Sequence, residues 1–211
     1  MKNLKLFALI TFVTIFTLQS CSKDDVSPLS TTKFQELHNA MQKLWSEHMQ
    51  WTYQTVDAFF HEPAALESNL NRLLKNQQDI GAALVPYYGQ AAGDALSQLL
   101  TEHIQLAVPV LTAAKDNNEA ALKTALDNWY VNAREIGAFL STANPSNWTK
   151  HDMEHMMEMH IDQTVAYSVA LLQNDHTKAV QLYDEAFSHM VLDMSKSLAE
   201  GIAKQFPDKF K

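Results

Sequence analysis

The chain has 211 residues, 46% of them hydrophobic, with a formal net charge of −8, five glycines and one cysteine. That length suits a single domain with an ample core, and the acidic balance argues against nucleic acid as a partner, because no surplus of lysine and arginine is present to neutralise phosphates. One cysteine cannot form an internal disulfide, and scarce glycine with few β-branched runs argues for helices and against a sheet.

The first segment begins with Lys2 and Lys5 and continues as an apolar run over 6–18 without an acidic residue. Such a run is short for a membrane span and has the length of a signal-peptide core. It ends in Leu18-Gln19-Ser20-Cys21, which resembles the bacterial lipobox, where the cysteine is acylated and becomes the new N-terminus. Residues 1–20 are therefore expected to be a lipoprotein signal peptide and Cys21 the lipid-bearing residue. An uncleaved anchor helix, or a plain secretory signal with an incidental cysteine, is the alternative. Loss of Lys2 and Lys5 takes the formal charge to −10. Residues 21–32 are polar and unpatterned and predict a flexible tether. The pair Asp24-Asp25 resembles the export tag of surface lipoproteins in Bacteroidetes-type bacteria, with a plain solvated linker as the other reading. The expected address is the cell envelope, lipid-anchored in the outer membrane, with surface exposure left open.

From residue 33 to 211, three- and four-residue apolar spacing predicts helices near 33–60, 63–85, 91–115, 118–141, 149–173 and 176–204. Pro63 suits a first helical turn, and Asn144-Pro145-Ser146 breaks the chain before the fifth helix. Pro86 with Gly89 separates the second helix from the third, Asp116-Asn117-Asn118 and Asn174-Asp175-His176 read as hairpin turns, and Pro109 should kink or divide the third helix.

One phrase recurs three times: Met41-x-x-Leu44-Trp45-x-x-His48, Leu96-x-x-Leu99-Leu100-x-x-His103, and Met153-x-x-Met156-Met157-x-x-His160. Its histidines are 55 and 57 residues apart, a period that signals stacked helical hairpins. A second polar position follows each histidine by 28 or 29 residues: Asn76 with Asp79, Asn132 with Glu135, and His189 with Asp193. The expected fold is all-α, an up-down bundle of about six helices built from three repeated hairpins.

Each repeated histidine continues an apolar stripe and should face the interior, where its hydrogen bonds must be met by the partner helix. In the bland reading each hairpin holds its own clamp, histidine to asparagine or carboxylate. In the sharper reading His48, His103, His160 and His189 converge, with Asp79, Glu135 and Asp193 as ligands or orienters and Asn76 and Asn132 as polar support. Imidazole with carboxylate suits zinc, iron, manganese or copper. A secondary metal candidate is the stripe His151, His155 and Met159, whose soft thioether favours copper, against a null of exposed histidines beside core methionines.

Other chemistries find little support. His151-x-x-Glu154-His155 matches the H-x-x-E-H protease pattern, but that mechanism needs a further ligand and a mixed fold. No Glu-x-x-His pair supports a di-iron bundle, and no phosphate-binding glycine loop, nucleophile elbow or spare cysteine is present. An enzyme is therefore the least favoured class.

Several stretches together resemble an uncharacterised family of small bacterial helical proteins, free or lipid-anchored, found in Bacillus-type and Bacteroidetes-type organisms. They are His48-Met49-Gln50-Trp51-Thr52, Asn76-Gln77-Gln78-Asp79-Ile80-Gly81, Pro86-Tyr87-Tyr88-Gly89, Phe139-Leu140-Ser141-Thr142-Ala143-Asn144-Pro145 and the closing 201–210. Members sometimes carry the names glycosyltransferase or acetylglutamate kinase, yet nothing in this chain resembles a nucleotide-sugar or ATP site. The functional expectation is a lipid-anchored envelope protein, attached to the membrane through Cys21, with a buried His/carboxylate site for a metal. The alternative is a metal-free helical lipoprotein that binds a small ligand or a protein partner.

Overall fold

A computed structural model of the protein describes residues 27–211; the expected signal segment, Cys21 and Asp24-Asp25 lie outside them. The chain forms α1 (Thr32–Phe60), α2 (Pro63–Tyr88), α3 (Gln90–Lys115), α4 (Glu119–Ala143), α5 (Lys150–Leu172), α6 (His176–Ser188) and α7 (Ser195–Gln205). A π-helical stretch, His189–Met194, joins α6 to α7 in one rod, so six rods make an all-α bundle. Four N-termini are closed by side chains accepting from backbone N–H groups: Thr31 from Phe34, Asn118 from Ala121, Thr149 from Asp152 and Asp175 from Lys178. Asn117 (φ 53°) and Asn174 (φ 61°) make the two tight hairpin turns, since a short polar side chain tolerates the left-handed region.

Three local expectations are corrected. α2 runs through Pro86 to Tyr88 and ends at Gly89 (φ 84°), because a proline two residues from the end removes little of the ladder. Pro109 does not divide α3, which runs unbroken from Gln90 to Lys115. Gln105 and Pro109 are both exposed, so the carbonyl freed by the missing N–H lies on the solvent side, while Val110 and Leu111 stay in the core. Within the segment expected as a tether, Pro28–Ser30 form a short 3-10 turn that packs on α1 and α7, with Leu29 against the core.

Each helix packs on the next in chain order, and α7 closes the ring against α1. α5 also touches α1 and α3, so the first helices of the three hairpins turn their stripes to a common interior. Adjacent hairpins meet through glycines. A Cβ on Gly81 of α2 would stand 2.4 Å from the Gly93 carbonyl of α3, and one on Gly137 of α4 would stand 2.6 Å from the Glu154 nitrogen of α5. Helix axes this close tolerate no side chain between them. Among the described residues no helix is long and apolar enough to cross a membrane.

Candidate ligand-binding site

His48, His103 and His160 each sit on the buried stripe of α1, α3 or α5, with no more than 2% of their surface exposed. They meet, three of the four imidazoles that the sharper sequence reading gathers. His48 Nε2 and His160 Nε2 are 3.3 Å apart, and the rings of His103 and His160 stack with centroids 5.8 Å apart and planes 24° from parallel. Trp45 presents an edge to His48, and Trp129 lies 5.2 Å from His103, so the cluster is walled by aromatic surface.

The partner helices fix the tautomers. Asn132 Nδ2 donates to the Leu99 carbonyl, which orients the amide so that Oδ1 accepts from His103 Nδ1–H at 2.8 Å. A neutral His103 then carries its lone pair on Nε2, a buried atom with no partner among the described residues. Gln77 Nε2 donates to the Leu73 carbonyl and, at 3.2 Å, to His48 Nδ1. His48 therefore holds its proton on Nε2 and offers it to His160 Nε2. His160 in turn is protonated at Nδ1, which is also buried and unpartnered.

Burial keeps all three rings neutral. It is the largest cause of lowering at each, taking His48 to about 3, His103 to about 4 and His160 well below the usual range. Repulsion from neighbouring imidazoles adds to it at His48 and His160, while the bond that His103 donates to Asn132 opposes it at His103.

The second polar position of each hairpin does one shared thing. Asn76 Nδ2 donates to the Leu44 carbonyl at 2.9 Å, Asn132 Nδ2 to Leu99 at 3.2 Å, and His189 Nε2 to Met156 at 3.1 Å. In every case the acceptor lies four residues before the repeated histidine. His189 is thus the third hairpin's equivalent of the asparagines: its Nε2 bonds the Met156 carbonyl, and it acts on His160 through charge. In the first hairpin the contact to histidine comes from Gln77, which sequence reasoning passed over for its neighbour Asn76. A spacing of 29 residues, the same as from His103 to Asn132, picks out Gln77.

The carboxylates stand elsewhere. Asp79 is half-exposed and paired with Lys75, while Glu135 and Asp193 are exposed. The buried face of α2 runs through Leu73, Asn76, Gln77, Ile80 and Leu84, which leaves Asp79 on its edge; α4 repeats this with Glu135 beside buried Ile136. A carboxylate turned inward would lose hydration with no cation to meet it. His151 and His155 are exposed and stack at 6.1 Å on the outer face of α5; half-buried Met159 lines a shallow cleft with His189 and Asp193. Among the described residues no group of three or more His, Cys, Asp or Glu side chains is arranged to hold a metal ion.

Beside the three histidines lies a cavity of about 160 Å³. Apart from the imidazoles and a few hydroxyls, its wall is apolar, built from residues such as Val56, Phe59, Leu73, Ile104, Leu111 and Val165, and it contains no charged side chain. Ser168, Thr52 and Thr55 on this wall give their hydroxyls to backbone carbonyls of their own helices. The wall draws on five helices, which is why no single stretch of sequence announces it.

Comparison with protein-family models, with curated proteins and with solved structures gives no match.

Proposed function

We propose that this is a lipid-anchored envelope protein whose helical bundle takes up a small, neutral, largely apolar molecule in the cavity beside His48, His103 and His160. The observation that carries the reading is a cavity whose wall is apolar and uncharged and whose polar end consists of imidazoles held neutral by burial. An apolar cavity of about 150 Å³ is large enough for a benzene-sized molecule, so this one suits a single ring or a short branched chain. Ions are disfavoured, since no countercharge lines the wall. A tether through Cys21 would keep the bundle beside a lipid phase, where such molecules concentrate. Thermal denaturation with and without toluene tests the reading. The melting temperature should rise with toluene, and Ala107→Phe, which fills the cavity, should abolish the rise while keeping the helical circular dichroism. No shift with toluene, benzene or p-xylene near their solubility limits would overturn it.

A metal is the second reading, favoured by one distance. His48 and His160 hold their Nε2 atoms 3.3 Å apart. The separation is about the edge of a tetrahedron with metal–nitrogen bonds of about 2.0–2.1 Å. No third His, Cys, Asp or Glu side chain among the described residues is arranged with them to complete a metal site, which ranks this reading below the cavity. Metal content of the purified protein, compared with His103→Ala and His160→Ala, tests it: equal content in all three retires the metal.

A further inference from the structure

We infer that the molecule bound in this cavity carries a hydroxyl group, and that the hydroxyl is held between His103 and His160. The inference rests on the cavity reading and adds the chemical class of the ligand. Four of the residues lining the cavity own a buried polar atom with no partner among the described residues, namely His103 Nε2, His160 Nδ1, Thr164 Oγ1 and Trp129 Nε1, and at the stacked pair of histidines the two atoms are of opposite kind. His103 Nε2 is an acceptor, because Asn132 Oδ1 takes the ring's only proton at Nδ1. His160 Nδ1–H is a donor, because its Nε2 accepts from His48. The two rings lie face to face at 5.8 Å, so both orphan groups belong to one end of the cavity.

Buried polar groups without partners are costly, and a ligand that satisfies both recovers what an apolar one leaves unmet. A hydroxyl is the smallest neutral group that donates once and accepts at the same oxygen. An ether or a carbonyl would accept from His160 and leave His103 unmet. A carboxylate would oppose its charge to the His103 lone pair with no cation nearby. An ammonium would bring its charge against a wall with no charged side chain. The expected ligand is therefore a phenol or a small alcohol whose hydrocarbon part fills the space toward Val56, Phe59 and Leu111.

Titration calorimetry of the purified protein at pH 7.5 with phenol, anisole and toluene tests this. Phenol should bind at least about ten-fold more tightly than toluene, which makes neither hydrogen bond, and more tightly than anisole, which makes only the one from His160. In His103→Leu the advantage of phenol over toluene should disappear while toluene still binds. Phenol binding no better than toluene, as when a resident water already satisfies both nitrogens, would overturn the hydroxyl inference and leave the cavity reading standing. Failure of all three to bind would overturn both. A phenol advantage that survives His103→Leu would overturn the assignment to His103. Should that variant lose its helical circular dichroism, the comparison of phenol with anisole on the unaltered protein decides the question alone.

Discussion

His48 and His160, 112 residues apart in the chain, bring their Nε2 atoms to 3.3 Å in an interior where neither ring has more than 2% of its surface exposed. Two neutral imidazoles can share a proton across that gap. Two imidazolium ions would repel each other there with no water to screen them. The cluster therefore makes the fold sensitive to acid.

The pH dependence follows from the direction of the shifts. An unfolded histidine titrates near 6.5, whereas His48 and His103 are lowered to about 3 and about 4, and His160 is lowered well below the usual range. With folded values depressed, the unfolded chain binds more protons below pH 6.5, so the stabilisation is complete above that pH and declines as pH falls toward the folded values. Each histidine should cost about 1.4 kcal/mol at pH 5.5, about 4 kcal/mol for the three. Urea denaturation at pH 7.5 and 5.5 measures this. His160→Phe should remove about a third of the difference, and a pH-independent unfolding free energy over that range would contradict neutral burial.

The clamp at the second polar position predicts unequal costs. Asn132→Ala removes the acceptor of His103 Nδ1–H and the donor to the Leu99 carbonyl together, and should destabilise by about 2–4 kcal/mol in urea. His189→Asn, by contrast, substitutes the residue that makes the same bond in the other two hairpins. Its unfolding free energy should stay within about 1 kcal/mol of the parent. A loss as large as that of Asn132→Ala would show that His189 has a different task.

Hairpin docking depends on two glycines. Gly81→Ala places a methyl group against the Gly93 carbonyl, and Gly137→Ala places one against the Glu154 backbone; neither obstacle is a flexible side-chain tip alone. Each should cost at least about 2 kcal/mol because the helices must separate. Chemical denaturation of the two single variants measures it.

On the outer face of α5, exchanging both His151 and His155 for alanine should change stability by no more than about 0.5 kcal/mol, since both rings are exposed and lie outside the cluster. Toluene-induced stabilisation should be unaffected in the same melts. A lost toluene response would mean that this stripe takes part in the site.

The residue pattern alone determined the helices, the three hairpins and the inward direction of His48, His103 and His160, because apolar spacing fixes which side of a helix seeks the core. Only the tertiary structure decided which neighbours those histidines meet. One residue along a helix is a rotation of about 100°, enough to exchange Asn76 for Gln77 at His48, and to leave Asp79 and Glu135 off the buried face. That rotation is set by how closely the next hairpin approaches, as at Gly81 and Gly137, and in the third hairpin the π-helical stretch sets it again beginning at His189. The cavity is a difference of volumes summed over side chains from five helices, a quantity that no local pattern in the chain encodes.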